Sequence, residues 1–493
     1  MSIFILLNLH MPLNHSNPTT KGIKRALLVA LLCSTLLRLS AQTYSASIRQ
    51  YIDYYQDTIA LVHCYLADVV HKRVLPDQTV VMEHGIITAT GDSKKTRVPA
   101  GATIIDCTGK SVLPGFVMLH EHMFYPAASE SPFYVHFKQL PVTFPRLYLA
   151  CGVTTIRTTG SIEPYSDLSL KQEADAGSII GPEMYVTAPY MEGPGGFAPQ
   201  MRAIQSAAEA KEFVNFWADE GFTSFKAYMN LDGEVLKAAI EAVHARGLKI
   251  TGHLCAVTYR EAALMGIDQL EHGFLAATDF IKGKKPGACS YSDNPLASID
   301  PRSREVMDLI HVLVSHKVMM TSTLAVFEGL CRQDSVPGPS VLDAMAPDTR
   351  DMYVKYYSHE KSAGMDSALK KDLIMEKEFS DAGGLLTVGT DPTGNGSVLA
   401  GYGSLRAIEL LTREGFSPIE AIRIATYNGA TALNALDSIG SVEAGKNADL
   451  VVVEGNIQED INRIANIKWV FRHGVGFDSQ KILKQLNGQV GKY

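Results

Sequence analysis

Six residues of this 493-residue chain carry types and positions that could do chemistry together. His120, His122, Lys226, His253, His272 and Asp391 each stand at or near the end of a short apolar run such as "LPGFVMLHEH", "FTSFKAYM", "LKITGHL", "IDQLEHG" or "LLTVGTD". Imidazole and carboxylate hold divalent cations, and a set without cysteine suits Zn²⁺, and also Mn²⁺, Fe²⁺ or Co²⁺. Lysine is the odd member, because an ammonium repels a cation. It makes sense as a carbamate formed with CO₂, whose two oxygens can bridge two metals. One histidine in such a place is more often a hydrogen-bonded structural residue. Four of them with an Asp and a Lys at one rim would be a costly collection of desolvated polar groups without a ligand.

The elements that must place these groups can be read from the same text. Eight short apolar segments recur, the other three being "VTTIRTTG", "EMYVTAPYM" and "VMMTSTLA", and most precede an amphipathic helical pattern such as Gly233 to Leu248 or Arg304 to His316. Eight β-then-α units imply parallel strands with right-handed crossovers, closing as a (β/α)₈ TIM barrel. Barrel enzymes carry their chemistry at the C-terminal strand ends, which is where the six residues fall. Strand alternation puts His120 and His122 on one side and Glu121 on the other. By the same rule Glu271, just before His272, reads as structural. Val341 to Ala382 reads as one long helical stretch or two helices. Glu192 to Gln200, Lys282 to Ser298 and Pro392 to Gly403 are rich in Gly, Pro and Ser and read as loops over the site.

Both flanks alternate short β-rich runs with turns, from Ile59 to Val112 and again in "ADLVVVEGN" and "IKWVFRHGV". This predicts a small β-sandwich domain assembled from residues 42–113 and 436–493 around a barrel spanning 114–435. Ahead of it, Lys21, Lys24 and Arg25 precede the apolar stretch Ala26 to Ala41, the pattern of a secretory signal peptide over 1–41. The predicted location is therefore the periplasm or the exterior, with no membrane association of the mature form. The net charge of −7, without a basic block, argues against nucleic acid as a partner. Outside the leader the six cysteines are scattered; disulfides are permitted there but not demanded.

Taken together, "HEH", the strand-four lysine, "GH", "EHG" and "GTD" resemble the amidohydrolase superfamily, in its binuclear branch with a carboxylated lysine. The layout is similar to the imidazolonepropionase-related enzymes that include Xaa-Pro dipeptidases. The resemblance implies that His120, His122, Lys226 and Asp391 hold one metal, while His253, His272 and the other carbamate oxygen hold the second, with Zn²⁺ favoured. It also implies a metal-bridging hydroxide as nucleophile and Asp391 as the general acid and base. Tyr228, two residues beyond Lys226 and on the same side, could hydrogen-bond the oxyanion or a substrate carboxylate. Arg157 is a weaker candidate for that carboxylate.

The expected reaction is hydrolysis of a peptide-like C–N bond, in a dipeptide or an N-acyl amino acid. A mononuclear deaminase layout would show a Glu three residues after the strand-five histidine, where this chain has Ala256. Imidazolonepropionase itself belongs to a mononuclear layout without the bridging lysine, which disfavours it. A lactonase or cyclic amidase, and a non-catalytic metal- or ligand-binding barrel, remain as alternatives, and a homo-oligomer stays open.

Overall fold

All eight apolar runs form strands: Phe116–Glu121, Val153–Thr158, Glu183–Tyr185, Ser224–Ala227, Lys249–Gly252, Gln269–Glu271, Met319–Ser322 and Leu386–Val388. The computed structural model describes residues 44–127, 136–196, 200–290, 295–331, 338–358, 364–392 and 398–492. The predicted leader over 1–41 lies outside the described residues, as do parts of the predicted loops and of the 341–382 stretch. The first three strands pair in parallel in one sheet and the last five in another. Bridges Thr187↔Ser224 and Met191↔Ala227 join the third run to the fourth. The Thr390 and Asp391 amides donate to the His120 carbonyl, joining the eighth run to the first. The fold is TIM-barrel-like. Every residue of the first two strands is buried, as expected of parallel strands covered on both faces.

Helices Gly233–Ala245 and Arg304–Ser315 start where the sequence reading put them, because Asp232 and Ser303 cap their first turns. Among its described residues the 341–382 stretch instead falls in three helices, Pro339–Ala344, which begins just ahead of it, Pro347–Ser358 and Met365–Asp381. Pro347 explains the first break: it disfavours helical geometry in the residue before it.

The two flanks meet in one nine-stranded sheet. Leu450–Glu454 pairs antiparallel with Lys110–Pro114, and Ile59, Leu61, Val80, Val112, Leu450, Val452 and Phe471 form its core. The sheet is mixed. Thr58–Asp68 runs parallel to both Thr103–Asp106 and Lys110–Pro114, because the chain returns after the hairpin of Arg73–Glu83 and Ile86–Asp92 in its starting direction. Lys110–Pro114 leads directly into the first barrel strand, so this sheet anchors the strand that carries His120.

Among the described residues one disulfide forms, Cys255–Cys289. It ties the exit of strand five, two residues past His253, to the loop that begins at Lys282. The bond closes a span of 34 residues. Cys255→Ser with Cys289→Ser should therefore lower unfolding stability by about 3–4 kcal/mol on chain-entropy grounds, read as a lower urea midpoint at unchanged slope. An unchanged midpoint would mean that the loop is held by packing alone.

Candidate metal centre

Strand eight shows how backbone chemistry builds the site. A Cβ on Gly389 would lie 2.4 Å from the His120 backbone nitrogen, so glycine there lets strand eight close on strand one. The next residue's amide donates to Glu121 Oε1 (2.8 Å). Asp391 then adopts φ 51°, a left-handed conformation costly for a residue with a Cβ, and presents its carboxylate to the histidines. His272 does the same at the end of strand six, with φ 70°.

The carboxylate of Asp391 lies between the imidazoles: Oδ1 is 3.5 Å from His122 Nε2, and Oδ2 is 3.9 Å from both His120 Nε2 and His272 Nδ1. The His253 and His272 rings are 4.3 Å apart, and those of His120 and His272 4.6 Å. Lys226 Nζ lies 3.2 Å from His120 Nε2 and donates to the Thr159 carbonyl (3.1 Å). The structure thus brings His120, His122, Lys226, His253, His272 and Asp391 to one place.

These groups fit a metal. His120, His272 and Asp391 offer donor atoms within 4.8 Å of one another. Among the described residues His272 Nε2 is buried and meets no hydrogen-bond partner, which is costly unless a ligand takes it up. This grouping sets His272 beside His120 and Asp391, across the two-metal division that the family resemblance implies. The short ring separations place both ligand sets in one cluster. Burial, with Lys226 nearby, pushes His120 down to about 4, so its imidazole is a neutral donor. Burial opposes ionisation of Asp391, but His120, His122 and His272 outweigh it and hold the carboxyl well below its usual range. Burial lowers Lys226 to about 8, leaving a neutral-amine fraction near neutral pH.

The support beneath the site is built from two residues that the sequence reading left at its margin. Arg157 binds no substrate from this position: its guanidinium is buried and donates to Gln269 Oε1 (2.6 Å), the Leu119 carbonyl (2.6 Å) and Glu271 Oε1 (2.7 Å). Glu271 is structural, as expected, but it acts directly on the candidate ligand, since Oε2 contacts His120 Nδ1 at 2.7 Å. That contact fixes the tautomer in which His120 Nε2 is free to coordinate. Burial works against the Glu271 anion, yet His120 and Arg157 keep it ionised. Glu271→Gln should weaken metal binding about 10–100-fold, measured by chelator competition. Unchanged affinity would reduce the contact to packing. Sequence reading missed a further support: Asp372 Oδ1, from helix Met365–Asp381, accepts from the Phe274 amide (2.6 Å) and so clamps the loop after His272.

A cavity of about 160 Å³ opens over the cluster, lined by Tyr228 and by residues the sequence reading did not single out, including Tyr190 and Phe327. Tyr190 stands at the end of the third run, where the rim criterion could have found it. Its ring is 6.3 Å from that of His122 and 5.0 Å from that of Tyr228. A larger crevice of about 680 Å³, bordered by Cys151, Tyr402, Arg406 and Gln480, holds no imidazole and is not the site of this chemistry.

The sequence matches the amidohydrolase family over residues 111–475. The chain belongs to the amidohydrolase family. It is a hydrolase acting on carbon–nitrogen bonds. It is 24% identical to an imidazolonepropionase of Streptomyces coelicolor, over 77% of this chain and 85% of that one. Its fold is similar to that of a Xaa-Pro dipeptidase crystallised with methionine in the active site (TM-score 0.66, 18% identity, 85% of this chain and all of that one, at 100%). It is also similar to phenylurea hydrolase B (TM-score 0.62, 19% identity, 86% and 97% of the two chains).

Proposed function

We propose that this amidohydrolase is an exported, binuclear enzyme that cleaves a peptide-like C–N bond in a dipeptide or an N-acyl amino acid. The observation that carries the reading is Lys226, buried with its Nζ 3.2 Å from His120 Nε2. An ammonium among candidate ligands is unfavourable, whereas a carbamate there would complete two ligand sets. His120, His122, Lys226 and Asp391 would hold one divalent ion and His253, His272 and Lys226 the other, with Zn²⁺ the favoured metal. Bound ions would supply an activated water and polarise the scissile carbonyl.

The chain's own residues account for the remaining tasks. Asp391, ionised and facing the cavity, is placed to hold a proton and release it to the departing amine. Tyr228, whose ring stands 4.9 Å from that of His253, can orient the substrate through its phenol. The aromatic walls limit water around the reacting bond.

Fold likeness to a Xaa-Pro dipeptidase supports the dipeptide class, and the strand-four lysine favours it over an imidazolonepropionase reaction. Export is supported by the basic and apolar leader pattern, and a disulfide near the site suits an oxidising compartment. The test is to count metals per chain in the purified mature protein and screen it against dipeptides and N-acyl amino acids. About two metals per chain, as a bridged pair of ions requires, together with amide turnover are expected. Bound metal without turnover across the panel would refute the reading.

A further inference from the structure

The walls of the cavity are more specific than the metal cluster at its base. Phe124, Phe137, Tyr190, Tyr228 and Phe327 face it, with Met201 and Leu330 beside them. The rings contact one another: Phe124 and Phe137 stand 5.1 Å apart at 71°, and Tyr190 and Tyr228 5.0 Å apart at 74°. Edge-to-face packing of this kind makes a stiff apolar box. Apart from the imidazoles, the charged groups facing it among the described residues are Lys226 and Asp391. Both are committed to the cluster, so neither can serve as counter-charge for a substrate side chain. The volume, about 160 Å³, is well under the roughly 300–1,000 Å³ typical of drug-sized ligands. Only one compact group fits.

Resting on the amide-hydrolase reading, we infer that this cavity recognises a single uncharged, apolar group beside the scissile bond, so that the substrates are amides of hydrophobic residues. A lysine, arginine or glutamate side chain entering it would lose its water and meet no free opposite charge among the described residues. A leucine, methionine or phenylalanine side chain would bury its surface against the rings.

The test compares N-acetyl derivatives of Leu, Met and Phe with those of Lys, Arg and Glu by kcat/KM. Calorimetry of the matching non-hydrolysable phosphonate analogues adds a readout that needs no turnover. The apolar members should lead by 100-fold or more in both measurements, and any smaller preference overturns the inference. If the analogues discriminate but nothing is hydrolysed, the pocket stands and the amide-hydrolase reading falls. Phe137 is half-buried at the cavity edge. Phe137→Ala and, separately, Phe327→Ala should each raise the ratio of N-acetyl-Trp to N-acetyl-Leu hydrolysis, or of analogue binding, by at least 10-fold. An unchanged ratio in both variants would show that these rings do not form the pocket.

Discussion

Asp391→Asn is expected to cut kcat for amide hydrolysis by about 10²–10⁴-fold, the range that a positioned general acid and base contributes. The expectation follows from how much of the fold is spent on this one carboxylate. Gly389 admits strand eight to strand one, the His120 carbonyl accepts the Asp391 amide, and the residue itself holds φ 51°. The histidines then hold the carboxyl well below its usual range despite its burial, so its oxygens are unprotonated and available to ligand and proton alike. Asparagine preserves the shape and removes the basicity. Activity and metal content must be measured on the same sample, because a lost ligand would also lower kcat. A fall in turnover that outruns any fall in metal content assigns the proton to Asp391. Near-normal turnover at full metal content would remove it from that role.

The elements that carry this site were legible because their signals are local. An apolar run of four to eight residues marks a buried strand wherever it lies, and a polar residue at its end marks the rim, so the eight strands and the six converging residues could be read from single segments. The supporting groups could not. His120 and Glu271 are 151 positions apart, and Arg157 and Gln269 are 112 apart. No local pattern links such pairs. Glu121 ends the first strand where its register against the second shifts, and its carboxylate accepts the Thr390 amide and does not line the cavity. At His272 and Asp391 the backbone turns left-handed, and counting sides from the strand no longer applies. Asp372 was hidden for another reason: on an amphipathic helix an acid ordinarily reads as solvent-facing, yet this one is buried against the loop after strand six. The pairing of Cys255 with Cys289 likewise depends on where a long loop lands, which spacing does not encode.

Lys226→Met is expected to abolish turnover and to reduce bound metal below the two ions per chain that the bridged site needs. The loss should exceed the roughly 10–100-fold that removal of a supporting outer group costs, because this residue would itself be a ligand. Methionine keeps the apolar stem and deletes only the group that CO₂ would modify, so a general packing defect is a poor explanation for metal loss. Lys226→Glu sharpens the comparison: a carboxylate coordinates such divalent ions far better than a soft thioether, so this variant should retain more metal than Lys226→Met. The chemistry can also be watched directly. Carbamate formation consumes the neutral amine, and burial brings Lys226 down to about 8, so an appreciable neutral fraction is present near neutral pH. Protein loaded with metal in ¹³C-bicarbonate should show one carbamate carbon signal that both variants lack. If the wild-type protein is active and Lys226 remains unmodified, the bridge is wrong. The ammonium would then have to act as a cation toward the substrate, which its place beside His120 Nε2 does not favour.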